Sequence, residues 1–388
     1  MLRALCLATA VLVLPVGRAS ADAPGDLGAN AALKYWQAFS TLPKFTDAEQ
    51  AKLMAEHLTV PLDAQARESV SKAEYALRML HHGAKLPRCD WGIDWEADGI
   101  DVLLPQMTAA RVLSSLACLR ARIRFEEGRG AEAVDDMVAA MTLGRQVSLD
   151  GSLIGVLIGY NIEARTTDAI ALHLPKLDPG AIRALKTRLD ALPEGGTPAV
   201  GLLACEEKTL EWFIHKVKSA KDKESLVALL APLAVLNGQP EGKARDSANG
   251  GRALLAECGG TAAGVLKFAE AARPSYGRVA EQMALPLAQF ETEFERETKR
   301  QAGNPVFKVF FPALSKVRRA QARADVRHAL LPAAIDVRLN GRDAVKSHTD
   351  PVAGGPLQYA DFPGGFELRS NFKQDEKPIT LTVGLRGK

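Results

Sequence analysis

Cys89-Asp90-Trp91-Gly92-Ile93-Asp94-Trp95-Glu96-Ala97-Asp98-Gly99-Ile100-Asp101 opens the segment over residues 89–147 whose reading decides the fold. After this acidic, aromatic lead-in, apolar residues fall at Leu103, Leu104, Met107, Val112, Leu113, Leu116, Leu119 and Ile123. Spacings of three, four and seven place them on one helical stripe, with Arg111, Arg120, Arg122 and Arg124 on the other side. Gly128-Arg129-Gly130 then ends the pattern, because glycine loses the most backbone entropy on folding and is costly inside a helix. A second amphipathic stretch carries Val134, Met137, Val138 and Met141 on one face, with Asp135 and Asp136 turned away. The segment predicts a helical hairpin.

Ala121 and Phe125, placed before a short glycine turn, give the hairpin a resemblance to one unit of a tetratricopeptide-like repeat. It covers little more than the hairpin itself, and no second copy recurs at the period of about 34 residues that such arrays keep. An irregular helical array is therefore predicted.

Working outward, residues 30–40 read as a first helix, and Thr46-Asp47 with Glu49 reads as the cap of a second. A third is predicted over 63–81, ending at His81-His82, which a helix C-terminus favours without any catalytic role. Beyond the hairpin, Leu153, Ile154, Val156, Leu157, Ile158 and Ile162 make a helix that is apolar on nearly every side and hence buried. Gly155 and Gly159 on it permit close approach of a neighbouring backbone. Its polar residues are Asn161, Glu163 and Arg165; a buried charge needs a partner, and Arg120 or Arg124 is the expected one for Glu163. Asp178-Pro179 starts another helix. Residues 205–220 read as helical, residues 238–251 as a flexible surface loop, and residues 278–302 as a helix kinked at Pro286.

Near Phe311 the pattern changes. A long helix over 312–339 is followed by Leu357-Gln358-Tyr359, Gly365-Phe366-Glu367-Leu368-Arg369-Ser370 and Ile379-Thr380-Leu381-Thr382-Val383, which alternate like short strands. Asp350-Pro351, Gly354-Gly355-Pro356-Leu357 with Tyr359, and Gly364-Gly365-Phe366 with Leu368 and Ser370 resemble the helix-plus-small-sheet module of type II secretion pseudopilins of the G type. The resemblance spans about the last fifth of the chain and implies that module's fold. Three departures stand against pilus assembly and calcium binding in the tail: no prepilin leader with a hydrophobic stem, a short helix-to-sheet loop, and Asn371 to Lys377 where pseudopilins end acidic. With its Cys89-Asp90-Trp91-Gly92 loop, the whole chain also resembles uncharacterised exported bacterial proteins that pair a helical body with this tail. The predicted class is mainly α: an irregular α-helical array of hairpins over 22–310, then a small α+β C-terminal module with a short antiparallel sheet over 311–388.

Residues 1–21 read as a secretory signal peptide: Arg3, an apolar run over 4–16 too short to span a bilayer, and a small-residue site at Ala19-Ser20-Ala21. Cleavage removes Arg3 and Arg18, lowering the formal net charge from +3 to +1 (3 − 2). So neutral a chain gives no electrostatic case for nucleic acid, and no later stretch is apolar for the length of a membrane span. The expected location is periplasmic or extracellular. Cys89, Cys118, Cys205 and Cys258 remain. An oxidising compartment suggests disulfides, with Cys89–Cys118 and Cys205–Cys258 the preferred pairing and four buried free thiols the alternative.

Asp94, Glu96 and Asp98, followed by Gly99, match the opening of an EF-hand calcium loop, but Pro105 stands where the bidentate glutamate belongs. Calcium there is the one cofactor the sequence suggests; a loop that caps the following helix is the plainer reading. Hydrolase elbows, zincin helices, phosphate loops and dinucleotide fingerprints are absent. Asp135-Asp136 and Glu206-Glu207 are adjacent, pointing about 100° apart on a helix, and read as solvated. The favoured expectation is an exported, non-catalytic interaction or scaffold protein with a protein partner in the cell envelope. The alternative is a small-ligand binder or enzyme using a cleft near Asn161, Glu163 and Arg165, lined by Trp91 and Trp95.

Overall fold

The computed structural model describes residues 29–55, 58, 60–236, 247–311, 314–374 and 376–386. The predicted signal peptide lies outside them, as does most of the loop expected over 238–251. The described chain is mainly α-helical and closes with a three-stranded antiparallel sheet.

Four helices come first: α1 (Ala31–Ser40), α2 (Asp47–Ala55), α3 (Ala64–Lys72) and α4 (Glu74–Gly83). Asn30 Oδ1 accepts the Ala32 amide at 3.1 Å and Asp63 Oδ1 the Ala66 amide at 2.9 Å, so both starts are side-chain capped. Thr46 and Glu49 cap α2 reciprocally: the Thr46 amide donates to Glu49 Oε2 (2.8 Å) and the Glu49 amide to Thr46 Oγ1 (3.2 Å). The single helix expected over 63–81 is two, because the chain turns at Ala73. That turn lets Val70, Ala73, Ala76, Leu77 and Leu80 all face inward.

A short α5 (Trp95–Asp98) precedes the hairpin, formed by α6 (Pro105–Glu126) and α7 (Gly130–Val147). Proline at the first position of α6 loses no hydrogen bond, since that amide would have no helical partner. Leu103 therefore lies ahead of the helix and is 86 % exposed rather than on the buried stripe. Ser114, Ser115 and Arg120 are buried with the leucines, because α1, α3 and α4 cover one side of α6 while α7 and α8 (Leu153–His173) cover another. Helices α7 and α8 cross closely: a Cβ on Gly159 would lie 2.6 Å from the Gly144 carbonyl oxygen. Here the expected glycine contact is formed. Ile154, at the start of α8, is exposed, so that helix is not apolar-buried all round.

Next come α9 (Pro179–Asp190), capped by Asp178, and α10 (Pro198–Gly201), which runs into one π-helical turn at Leu202–Glu206. The helical layer continues with α11 (Glu207–Ser219), α12 (Lys223–Leu236), α13 (Ser247–Glu257) and α14 (Ala262–Ala272). Ser247 to Gly251, expected in a flexible loop, is the first part of α13. Gly251 serves packing there, since a Cβ would meet the Val227 carbonyl on α12 at 2.5 Å. The helix expected over 278–302 is also two, α15 (Pro274–Gln282) and α16 (Leu287–Arg300); Pro286 lies between them and precedes α16 instead of kinking one helix. After α17 (Pro305–Phe310), α18 (Leu314–Asn340) continues through Pro332.

Strands β1 (Gln358–Phe362), β2 (Gly365–Gln374) and β3 (Lys377–Gly384) form the sheet in that order, with Leu368 opposite Tyr359 on one side and Leu381 on the other. Phe366, Leu368, Leu381 and Val383 face the same core as residues of α6, α7, α8, α9 and α18. A second core gathers α11 to α17 with the start of α18. Both cores thus cross the boundary read at 310/311. Buried Asp350 fastens the turn over 350–355 to β2: it accepts the Val352, Ala353 and Asn371 amides and the Ser370 hydroxyl. Burial raises its pKa, but these hydrogen bonds outweigh that and hold it below the ordinary aspartate value.

Substituting Gly159→Val forces α7 and α8 apart and is expected to cost about 1–3 kcal/mol in urea unfolding. A loss within experimental error would show that the crossing tolerates a side chain.

Candidate functional site

The buried charges come in two groups. The first centres on Asp136 of α7, read as solvated in the sequence and in fact fully buried. It accepts from Arg120 (Nη2, 2.6 Å) and Arg124 (Nη1, 2.7 Å), and His81 Nε2 lies 2.7 Å away. Arg120, expected on the outer face, also donates to Glu74 Oε2 at 2.9 Å. Packing of α4 against the hairpin turns this side of α6 inward, and the charge partners follow from that packing. Asp136→Asn leaves two guanidinium groups short of their counter-charge, one of them buried, and is expected to destabilise by about 3–5 kcal/mol. Wild-type-like unfolding of this variant would refute the network's structural role.

The second group contains Glu163. Its partners are Arg145 of α7 (Nε, 3.1 Å) and His328 of α18 (Nε2, 3.0 Å), and Arg120 and Arg124 are committed to Asp136 instead. Arg145 also donates to the Pro193 carbonyl at 2.9 Å, tying down the segment before α10. A carboxylate–histidine pair of this kind orients one ring nitrogen and leaves the other for a further partner. Ten residues earlier on α18, Arg318 is buried; it donates to the Leu285 carbonyl, yet its Nε and Nη1 have no hydrogen-bond partner among the described residues.

The other residues expected around Glu163 are dispersed. Asn161 is exposed, and Arg165 donates to Ser115 Oγ at 3.2 Å. Trp91 donates to the Gln146 carbonyl at 2.8 Å and stacks on Tyr35 and Phe39; Trp95 donates to the Asp150 carbonyl at 3.0 Å. Both tryptophans are buried fastenings of the lead-in loop, not the lining of a cleft.

Asp94, Glu96 and Asp98 lie at and within α5. Asp94 caps α5 by accepting the Glu96 and Ala97 amides, and Glu96 pairs with Lys208 at 2.6 Å. Among the described residues no group of three or more His, Cys, Asp or Glu side chains is arranged to hold a metal. The two expected disulfides are not formed, and all four cysteines are free. Cys118 faces Thr166 of α8, with 3.9 Å between sulfur and hydroxyl, whereas Cys89 packs against the separate core built on α1 and α4. Burial pushes the Cys118 thiol to about 11 and the Cys89 thiol to about 12, which keeps both protonated and unreactive at neutral pH.

Nothing in the residue pattern marks the π-helical turn at Leu202–Glu206. Glu206, at its end, is half-buried rather than solvated, and burial alone pushes its pKa to about 7. Asp150 nearby is raised to about 6 by burial, against hydrogen bonds from Ser152. The backbones of 151–153 and 201–204 touch here, since added Cβ atoms on Gly151 and Gly201 would meet Ala204 and Leu153. In or next to these two segments, four aliphatic side chains are exposed: Leu149, Ile154, Val200 and Leu203. Compared with known proteins, the chain matches no family model, no curated protein and no solved structure.

One further buried group titrates. His173 stacks on Phe125 at 4.4 Å, and neither ring nitrogen has a partner among the described residues. Burial, with help from Lys176 and Arg122, lowers its pKa to about 3. The unfolded chain therefore binds a proton near pH 6.5 that the folded chain refuses. The stability is complete above that value and is lost as pH falls, by up to about 1.4 kcal/mol per pH unit. His173→Phe is expected to flatten the dependence between pH 6.5 and 4; an unchanged slope would assign acid sensitivity elsewhere.

Proposed function

We propose that this chain is an exported, non-catalytic protein of the cell envelope that acts by holding a protein partner. The observation that carries the reading is the exposure of Leu149, Ile154, Val200 and Leu203, which flank in sequence the two segments that meet beside the π-helical turn. Apolar side chains grouped on a surface favour a protein contact over bulk water. The signal-peptide pattern and the near-neutral charge support the same reading, since they favour export and offer nothing to nucleic acid. Among the described residues no single helix is long and apolar enough to cross a membrane. Asp136 and Glu163 are bound up in internal pairs, which leaves the protein's surface rather than its buried charges to do the work.

A second reading keeps one observation. Glu163 with His328 is a half-exposed polar pair suited to a small ligand; Asn161, Trp91 and Trp95 lie apart from it.

The test is chemical crosslinking in the native envelope, followed by recovery of the chain and mass spectrometry. The expected result is one stoichiometric partner that is lost in the doubly substituted Val200→Asp, Leu203→Asp variant while its melting temperature is unchanged. Recovery of uncrosslinked monomer alone, or a partner retained by the variant, would overturn the assignment and turn attention to Glu163.

A further inference from the structure

Arg318 is 7 % exposed, where α18 passes the turn between α15 and α16. Its Nη2 donates to the Leu285 carbonyl of that turn at 2.9 Å. Nε and Nη1 are buried without a hydrogen-bond partner, and the guanidinium makes no ion pair among the described residues. An arginine does not shed its proton, so this buried charge lacks both a counter-ion and a full set of acceptors. Two acceptors close by are open as well. Gln321 follows Arg318 by one turn on the same face of α18, and Gln282 ends α15, its main-chain carbonyl accepting the Leu285 amide at 2.9 Å. Both side-chain carbonyl oxygens are buried and unpartnered.

One turn beyond Gln321 stands Asp325, half-buried and in no hydrogen bond or ion pair among the described residues. It follows Arg318 by two turns, about 10 Å along the axis, and the two do not pair. Burial raises the Asp325 pKa, and the positive fields of Arg318 and His328 oppose the rise. Tyr160 of α8 faces the same strip: burial raises its pKa, Asp325 and Glu163 add to the rise, and Arg318 opposes it. Glu163 is already balanced by Arg145 and His328. Among the described residues, what stays uncommitted here is one cation, one anion and the oxygens of two side-chain amides.

We infer that this strip of α18 binds a short zwitterion of the amino-acid class, its carboxylate on Arg318 Nε and Nη1 and its ammonium toward Gln321 Oε1 and Asp325. A guanidinium matches a carboxylate in charge and geometry, and an ammonium brings three donors to acceptor oxygens. With one charge of each sign, the strip favours neither an anion nor a cation alone. Tyr160, Gln321 and Asp325 are each partly exposed, which gives the strip a side open to solvent. The inference does not rest on the aliphatic residues or on a protein partner.

Calorimetric titration of the purified chain with free alanine, acetate and methylammonium tests the inference. Saturable binding is expected for alanine, with acetate and methylammonium each weaker by about tenfold or more, the scale of one lost charge-assisted hydrogen bond. Asp325→Asn keeps the side-chain shape at a half-buried position and is expected to weaken alanine about tenfold while leaving acetate unchanged. Arg318→Met removes the partner of the carboxylate and is expected to abolish binding of alanine and acetate. Its melting temperature should hold or rise, because an apolar chain replaces a buried charge without a counter-ion; if this variant fails to fold, Asp325→Asn decides. The absence of saturable alanine binding, acetate binding as tightly as alanine, or alanine binding unchanged in either folded variant would overturn the inference.

Discussion

The Asp136 carboxylate, shut off from water and surrounded by Arg120, Arg124 and His81, is the interaction on which the arrangement of the first half depends. An ion moved into the protein interior loses several kcal/mol of hydration that only close, hydrogen-bonded partners restore. Those partners come from α4 and α6 and the carboxylate from α7, so the three helices are fixed in azimuth as well as in distance. Apolar packing alone would tolerate a helix rotated by a few tens of degrees; this set of hydrogen bonds does not. Glu163 repeats the device further along, holding α7, α8 and α18 through Arg145 and His328.

Local chemistry was legible in the sequence. Thr46 and Glu49 meet as a capping box, Asp178 caps α9, and the strands around Leu368 and Leu381 follow their alternation, because each of these depends on neighbours a few residues away. The hairpin and the close pass at Gly159 were legible for the same reason. Partners distant in the chain were not. Arg120 looked outward by periodicity and is buried because α4 covers it, and Gly251 looked like a loop residue and is a point of helix contact. The tryptophans of the lead-in drew attention as possible site residues, yet their indole nitrogens serve backbone carbonyls 55 residues further on. The π-helical turn has no recognisable composition at all.

The same distinction governs the functional reading. Aspartates and arginines spaced along helices suggest chemistry until the structure shows them paired with one another; afterwards the aliphatic residues that remain in water are the better guide. Leu149 and Ile154 belong to one segment and Val200 and Leu203 to another, so no window of sequence displays them together. Where such a surface comes from two segments, its shape depends on the packing beneath, including the half-buried Glu206, which burial inclines toward its neutral form near pH 7.

The core that joins residues 118–185 to residues 326–383 also constrains how the chain reaches its native state. The helices on one side of it are made early and their covering strands last, with the α11 to α17 layer in between. The loop-closure entropy for that junction is paid over more than a hundred residues, so it forms slowly relative to the local hairpins. Until β3 docks against α8 and the turn after it, the apolar residues there lack complete cover, and the partly folded chain is exposed to aggregation during that interval. A chain truncated before its last strand would remain at that stage however well its helices had formed.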